Sequence, residues 1–122
     1  MTGRKLGLAV VGAGRWANLA HLPGWARDDR CQIVGVCDID TGAVAAAAQQ
    51  YGAAVATTDY RELLARDDVD IVDVVTRDSE HFEINVAAVE AGKHVLSETP
   101  VAHDFRDVRR VSACCATSCR SG

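Results

Sequence analysis

Long apolar runs, proline, aromatic side chains and an excess of one charge are all scarce in this chain of 122 residues. The longest strictly apolar run, 43–48, falls far short of the roughly 18 residues that a membrane-spanning helix needs. No spanning segment is therefore expected. Two prolines and no Gly-X-Y period exclude collagen, and no linker, low-complexity segment or internal repeat stands out. Thirteen Lys and Arg stand against seventeen Asp and Glu, and the basic residues lie among acids, as in Arg27-Asp28-Asp29-Arg30. That balance leaves no electrostatic footprint for nucleic acid. Trp16 and Trp25 read as packing residues rather than base-stacking platforms. The five cysteines are odd in number, and Cys114, Cys115 and Cys119 crowd the end of the chain, which is no disulfide framework. Reduced thiols in a cytoplasmic protein are the simpler reading. Arg4 and Lys5 before the stretch 6–14 mimic the start of a secretory leader, but no small-x-small cleavage site follows cleanly, and Gly12 and Gly14 fall where another motif needs them.

With 48% hydrophobic residues, the chain can bury roughly two-thirds of its unfolded surface in one core, so disorder is excluded. One domain, 4–117, with a tail at 118–122, is expected. Short apolar runs alternate with helical stripes, the pattern of a parallel sheet covered by helices. Strands are expected at 5–11, Cys31–Cys37, 53–56 (weakly), 71–75 and His94–Ser97, and continuous apolar strands of this kind are buried on both faces. Between them apolar residues recur at helical spacing: Val44, Ala48 and Tyr51; Tyr60, Leu63 and Leu64; Phe82, Val86 and Val89; Phe105, Val108 and Val111. Asp40 and Gly52 bracket one of these helices, Asp59 with Glu62 looks like a capping box, and Gly92 closes another. In the first helix, from about Arg15, Pro23-Gly24 is expected to force a turn before one more helical turn near Trp25.

The first strand runs straight into Gly12-Ala13-Gly14-Arg15-Trp16-Ala17. Gly12 permits a tight turn, Gly14 lets the backbone approach a pyrophosphate, and a small residue at Ala17 lets helix and strand pack closely. Free N–H groups at the helix start then favour an anion. The second strand ends at Asp38, 24 residues beyond Gly14, near the spacing at which a carboxylate reaches the adenosine ribose hydroxyls. Such a charge-assisted bond is worth roughly 1.5 to 3 kcal/mol. A 2'-phosphate would instead meet like charge, and residues 38–42, Asp-Ile-Asp-Thr-Gly, hold no arginine. NAD is favoured over NADP. The bland alternative is that the glycines only turn the chain and Asp38 only caps that turn.

From residue 5 to about 113 the chain resembles the glucose-fructose oxidoreductase and inositol dehydrogenase family, Gfo/Idh/MocA. The resemblance rests on Gly12-Ala13-Gly14, His21-Leu22-Pro23, Val36-Cys37-Asp38-Ile39-Asp40, Asp59-Tyr60-Arg61-Glu62-Leu63-Leu64, Asp68-Val69-Asp70-Ile71-Val72, Thr76 with His81, and Ala91-Gly92-Lys93-His94-Val95-Leu96 leading to Glu98-Thr99-Pro100. It implies a Rossmann-like doubly wound parallel sheet, order 3-2-1-4-5, and NAD(P)-dependent hydride transfer on sugar- or cyclitol-like substrates. A cofactor site follows from Gly12, Ala13, Gly14, Arg15, Trp16, Asp38, Ile39, Thr76, Arg77, His81 and Glu98. The resemblance puts Thr76 beside the cofactor at the end of the fourth strand and Glu98 near the nicotinamide ribose.

Departures from the family pattern matter as much. The family's Glu-Lys-Pro carries a lysine that moves a proton, whereas Thr99 stands here, and an alcohol does not replace an ammonium in that work. Arg77 replaces the family's proline after Thr76, where it meets either a phosphate or solvent. The family's sixth strand and second, substrate-binding domain have no counterpart, so truncation or an altered reading frame is one expectation, with no catalysis by this stretch alone. An open fifth-strand edge would invite self-association or a completing subunit. A non-catalytic dinucleotide- or partner-binding module is the other reading. His21, His81, His94 and His103 share no metal-ligand spacing, and Cys114-Cys115 with Cys119 lacks paired Cys-x-x-Cys geometry, so no metal is expected.

Overall fold

The computed structural model describes the backbone of residues 3–121 and side chains through Cys115; the Cys119 side chain and Gly122 lie outside the described residues. The apolar runs become strands: β1 (Leu6–Val11), β2 (Cys31–Cys37), β3 (Val55–Thr57), β4 (Ile71–Val74) and β5 (His94–Ser97). They pair in parallel in the order β3-β2-β1-β4-β5, with β1 at the centre. Five of the six β1 residues are buried because both faces are covered. Ala9 and Val11, with Val72 and Val74 of β4, pack against Leu63 of α3 (Tyr60–Leu64) and Ile84 and Ala88 of α4 (Asp78–Glu90). Leu8 and Val10 face the other way, onto Ala17, Leu22 and the Val44 and Ala47 stripe of α2 (Thr41–Tyr51). Period-two alternation on β1 thus sorts its side chains into two cores.

Three local expectations are corrected. Pro23-Gly24 does not force a turn: the chain stays helical over 15–26. The adjustment falls earlier, in a wide π turn, Ala17–His21, where the Leu22 N–H bonds back five residues to the Ala17 carbonyl. Pro23 follows this change of register inside the first turn of α1 (Leu22–Ala26), where its missing N–H is not demanded. The third strand begins at Val55 rather than at 53, because the Ala53 N–H still closes α2 by bonding the Ala48 carbonyl at 2.9 Å. The capping box at α3 is only half made. Asp59 accepts from the Arg61 N–H, but Glu62 reaches Thr57 Oγ1 at 2.7 Å instead of returning to the cap.

The final helix, α5 (Phe105–Ser121), packs on α4, runs past the boundary expected at 117, and lays the Arg110 guanidinium over the Phe82 ring at 5.2 Å. β5 is left as one edge of the sheet. Among the described residues no helix is long and apolar enough to cross a membrane.

Candidate functional site

A cleft of about 710 Å³ opens beyond the carboxyl ends of β1, β2 and β4, where an open α/β sheet reverses its strand order and ligands bind. Of the residues singled out from sequence, Gly12, Gly14, Arg15, Trp16, Asp38, Ile39, Thr76 and Arg77 line it. Ala13, His81, Glu98 and Thr99 do not stand among its lining residues.

Two glycines of the loop answer different demands. Gly12 has φ +117°, and a Cβ there would sit 2.6 Å from the Val75 carbonyl oxygen, so the fold itself requires glycine. At Gly14 a Cβ would meet nothing within 4 Å. No contact within the chain asks for a glycine there, and the space beside it opens to the cleft. The residues present fit a dinucleotide: an open cradle at Gly14, the start of the 15–26 helix behind it, and a carboxylate at the rim.

That carboxylate is Asp38. Its Oδ2 accepts the Ala13 N–H at 2.7 Å and its Oδ1 the Asp40 N–H at 2.9 Å, so the backbone of two loops fixes it. Asp40 in turn caps α2, accepting from the Gly42 and Ala43 N–H groups. Asp59, Glu80 and Glu83 also line the cleft, against Arg15, Arg61 and Arg77. Arg61 lies over the Tyr60 ring and 3.7 Å from Glu83, which engages its charge. Burial first, and then Asp38, Asp59, Glu62 and Glu80, push the Cys37 thiol up to about 12, so it is inert as a nucleophile. The field on this side of the cleft is negative.

Behind the cleft wall, side chains do the organising. His81 is fully buried, with Nδ1 2.6 Å from the Pro100 carbonyl oxygen and Nε2 2.9 Å from that of Thr76. It ties the end of β4 to the turn after β5 and does not face the cleft. Asp73 on β4 is fully buried; its Oδ2 takes the Trp25 Nε1–H at 2.7 Å and lies 2.7 Å from His21 Nδ1. The other His21 nitrogen lies 2.5 Å from Glu98 Oε1, which also accepts the Trp16 Nε1–H at 2.8 Å. Desolvation dominates at Asp73 and raises its pKa against the pull of Trp25 and His21. The bond from Trp16, followed by that from His21, lowers the pKa of Glu98. Sequence reading treats His21 only as part of a motif and passes over Asp73. The available signal was a carboxylate inside an apolar parallel strand, which must find a partner when buried. Trp25 packs against the core as expected, whereas Trp16 is exposed on the cleft wall, and each indole also serves as a donor to this chain of acids. Among the described residues no group of three His, Cys, Asp or Glu side chains could hold a metal ion.

A parallel sheet in the order 3-2-1-4-5, a glycine loop into a helix and an acid at the end of β2 define a dinucleotide-binding Rossmann domain. Residues 6–120 match the family described as an oxidoreductase family with an NAD-binding Rossmann fold, GFO_IDH_MocA. The chain belongs to that family and forms its N-terminal dinucleotide-binding domain. Among curated relatives, the 4-carboxy-2-hydroxymuconate-6-semialdehyde dehydrogenase of Sphingobium sp. is 38% identical over 85% of this chain and 33% of its own length. Of solved structures, GenD2 from gentamicin A biosynthesis, in complex with NAD, superposes with a TM-score of 0.90 at 31% identity, covering 97% of this chain and 33% of GenD2. KijD10, a 3-ketoreductase from Actinomadura kijaniata in complex with NADP, gives 0.88 at 26% identity over 94% of this chain and 35% of its own. The chain spans about a third of the length of these relatives.

Proposed function

We propose that the cleft binds NAD in preference to NADP, with the pyrophosphate over Gly12, Ala13 and Gly14 and the adenosine ribose on Asp38. Gly14 carries this reading, since the space beside it is open and no contact within the chain asks for glycine. Asp38 and Asp40 together at the rim disfavour a 2'-phosphate, and the one arginine nearby from α3, Arg61, is engaged by Glu83. Ile39 offers an apolar surface for adenine, Arg15 and Arg77 offer charge to the phosphates, and Trp16 and Thr76 wall the cleft. His81 and Glu98 act from behind that wall, His81 through the carbonyls of Thr76 and Pro100 and Glu98 through the Trp16 indole.

Bound there, the nicotinamide supplies hydride exchange with a substrate carbon. In the longer proteins of this family that reaction runs on sugar- or cyclitol-like alcohols, by the resemblance, and a second domain supplies the substrate site. Thr99 at the family's lysine position favours a second reading, a dinucleotide-binding module without turnover of its own. The β5 edge supports pairing with a further strand, a second copy or a completing subunit. The free thiols of the described cysteines fit a cytoplasmic setting.

The test is titration with NADH, followed by its fluorescence, with NADPH in parallel and Asp38→Ala as the control. Saturable binding of NADH, weaker for NADPH and weaker in the variant, is the expected result. Equal binding of both cofactors would overturn the NAD preference. No binding of either to verifiably folded protein would overturn the cofactor reading.

A further inference from the structure

His21 stands between two acids, and its geometry fixes a proton count. Nδ1 lies 2.7 Å from Asp73 Oδ2 and Nε2 lies 2.5 Å from Glu98 Oε1. Each of these contacts needs a proton between nitrogen and oxygen. A neutral imidazole carries one N–H, so with two ionised carboxylates one contact would set lone pair against lone pair. The three groups therefore share two protons, either as an imidazolium between two carboxylates or as a neutral ring with one carboxyl protonated. A second observation ties this proton to the cleft. The two accepting oxygens also take the two indole N–H groups of the chain, Trp25 on Asp73 and Trp16 on Glu98. Trp25, half-buried, packs against the core, whereas Trp16, 55% exposed, lines the cleft.

We propose that His21 is a positioning residue: by holding a shared proton between Asp73 and Glu98 it fixes Glu98, and through Glu98 it fixes the Trp16 indole as a wall of the cleft, so that dinucleotide binding weakens when the proton leaves. The last clause rests on the dinucleotide reading above; the bridge itself does not. From β4 the ring faces Asp73 and from the turn after β5 it faces Glu98, on which His81 of α4 also acts. β2 meets this part of the chain with apolar Ile33 and Val36, and Arg15 and Arg27 flank the same helix. Desolvation is the largest single influence on His21 and works to lower its pKa. The hydrogen bonds and charges of Asp73 and Glu98 together outweigh it, and the pKa lies above the ordinary 6.5. The bridge is thus complete below that raised value and loses its proton as pH rises through it.

The experiment follows the two indole N–H signals of the ¹⁵N-labelled chain from pH 5 to 9, assigned with Trp16→Phe, alongside NADH titrations at each pH. Both signals are expected to move together through one transition above pH 6.5, with NADH affinity falling about tenfold across it, the equivalent of one hydrogen bond of this kind. His21→Gln offers a single amide donor group to two carboxylates and does not titrate, so the shared transition should vanish and binding should become flat with pH. Should that variant fail to fold, Glu98→Leu cuts only the outer link. The Trp25 signal should then keep a transition, at lower pH, while the Trp16 signal loses it. Indole signals that stay still, or a transition that survives in His21→Gln, would overturn the bridge. NADH affinity that stays constant through an intact indole transition would overturn the positioning role. An intact indole transition with no NADH bound at any pH would overturn the dinucleotide reading and leave the bridge standing.

Discussion

Two carboxylates, one at the rim of the cleft and one buried behind its wall, are held in opposite ways. At the end of β2, Asp38 is fixed by backbone N–H groups of Ala13 and Asp40, partners whose donors never titrate. Inside β4, Asp73 is fixed by the side chains of Trp25 and His21, and one of these donors can lose its proton. A carboxylate held by main chain is set by the local path of the loop. A carboxylate held by side chains depends on residues brought from far along the sequence and on the pH of the solution.

Removing each acid should separate the two arrangements. Asp73→Ala leaves the His21 and Trp25 donors without their buried acceptor, and breaking such a group typically costs about 3 to 5 kcal/mol. Urea unfolding should show a loss of that order, and the pH dependence should change with it. In the wild type, the raised His21 pKa contributes stability that is fully present below 6.5 and fades as pH rises through the folded value. In the variant, with Glu98 as the one acid left on the imidazole, that alkaline fade should shrink and begin at lower pH; a fade of the same size and midpoint would break the contrast.

Gly12→Ala comes next. Positive φ and the approach to the Val75 carbonyl should together cost about 3 kcal/mol, again read from urea unfolding. The companion change Gly14→Ala should leave the urea midpoint within about 0.5 kcal/mol of wild type and weaken NADH at least tenfold, since its Cβ fills only open space. Equal effects of the two on stability would mean that Gly14 serves the fold.

Asp38→Ala should weaken NADH about tenfold to a hundredfold, the equivalent of one charge-assisted bond, and by the same factor at pH 6 and pH 9. A pH-dependent factor would place Asp38 with Asp73 rather than against it. The smallest effect is expected at Phe105, which is 76% exposed and far from both acids in sequence. Phe105→Ser should change stability by no more than about 0.5 kcal/mol and leave NADH binding unmoved.

What could be read from the sequence follows the same division. The strands, their order and the glycine loop with Asp38 are local patterns of apolar runs and fixed spacings, and the structure places them within a residue or two, β3 shifting the most. That strand was misplaced because the turn closing α2 borrows Ala53, a detail of backbone bonding that a composition-based boundary does not see. The wide turn was missed for a like reason: proline was read as a break, while the helix accommodated it by a change of register upstream. The contacts of His21 lie 52 and 77 residues away, with no period to announce them. His81 stands in the sequence as part of a motif, but burial makes it a tie between two backbone segments rather than a surface of the cleft.

The π turn at Ala17–His21 makes residue count a matter of phase. An ordinary helix advances about 100° per residue, so deleting one residue between the glycine loop and His21 would carry the imidazole about a quarter turn round the axis, away from the β4 acid. The segment acts like a gear with one extra tooth, and the spacing from Gly14 to His21 is as fixed a measure as any bond length between them.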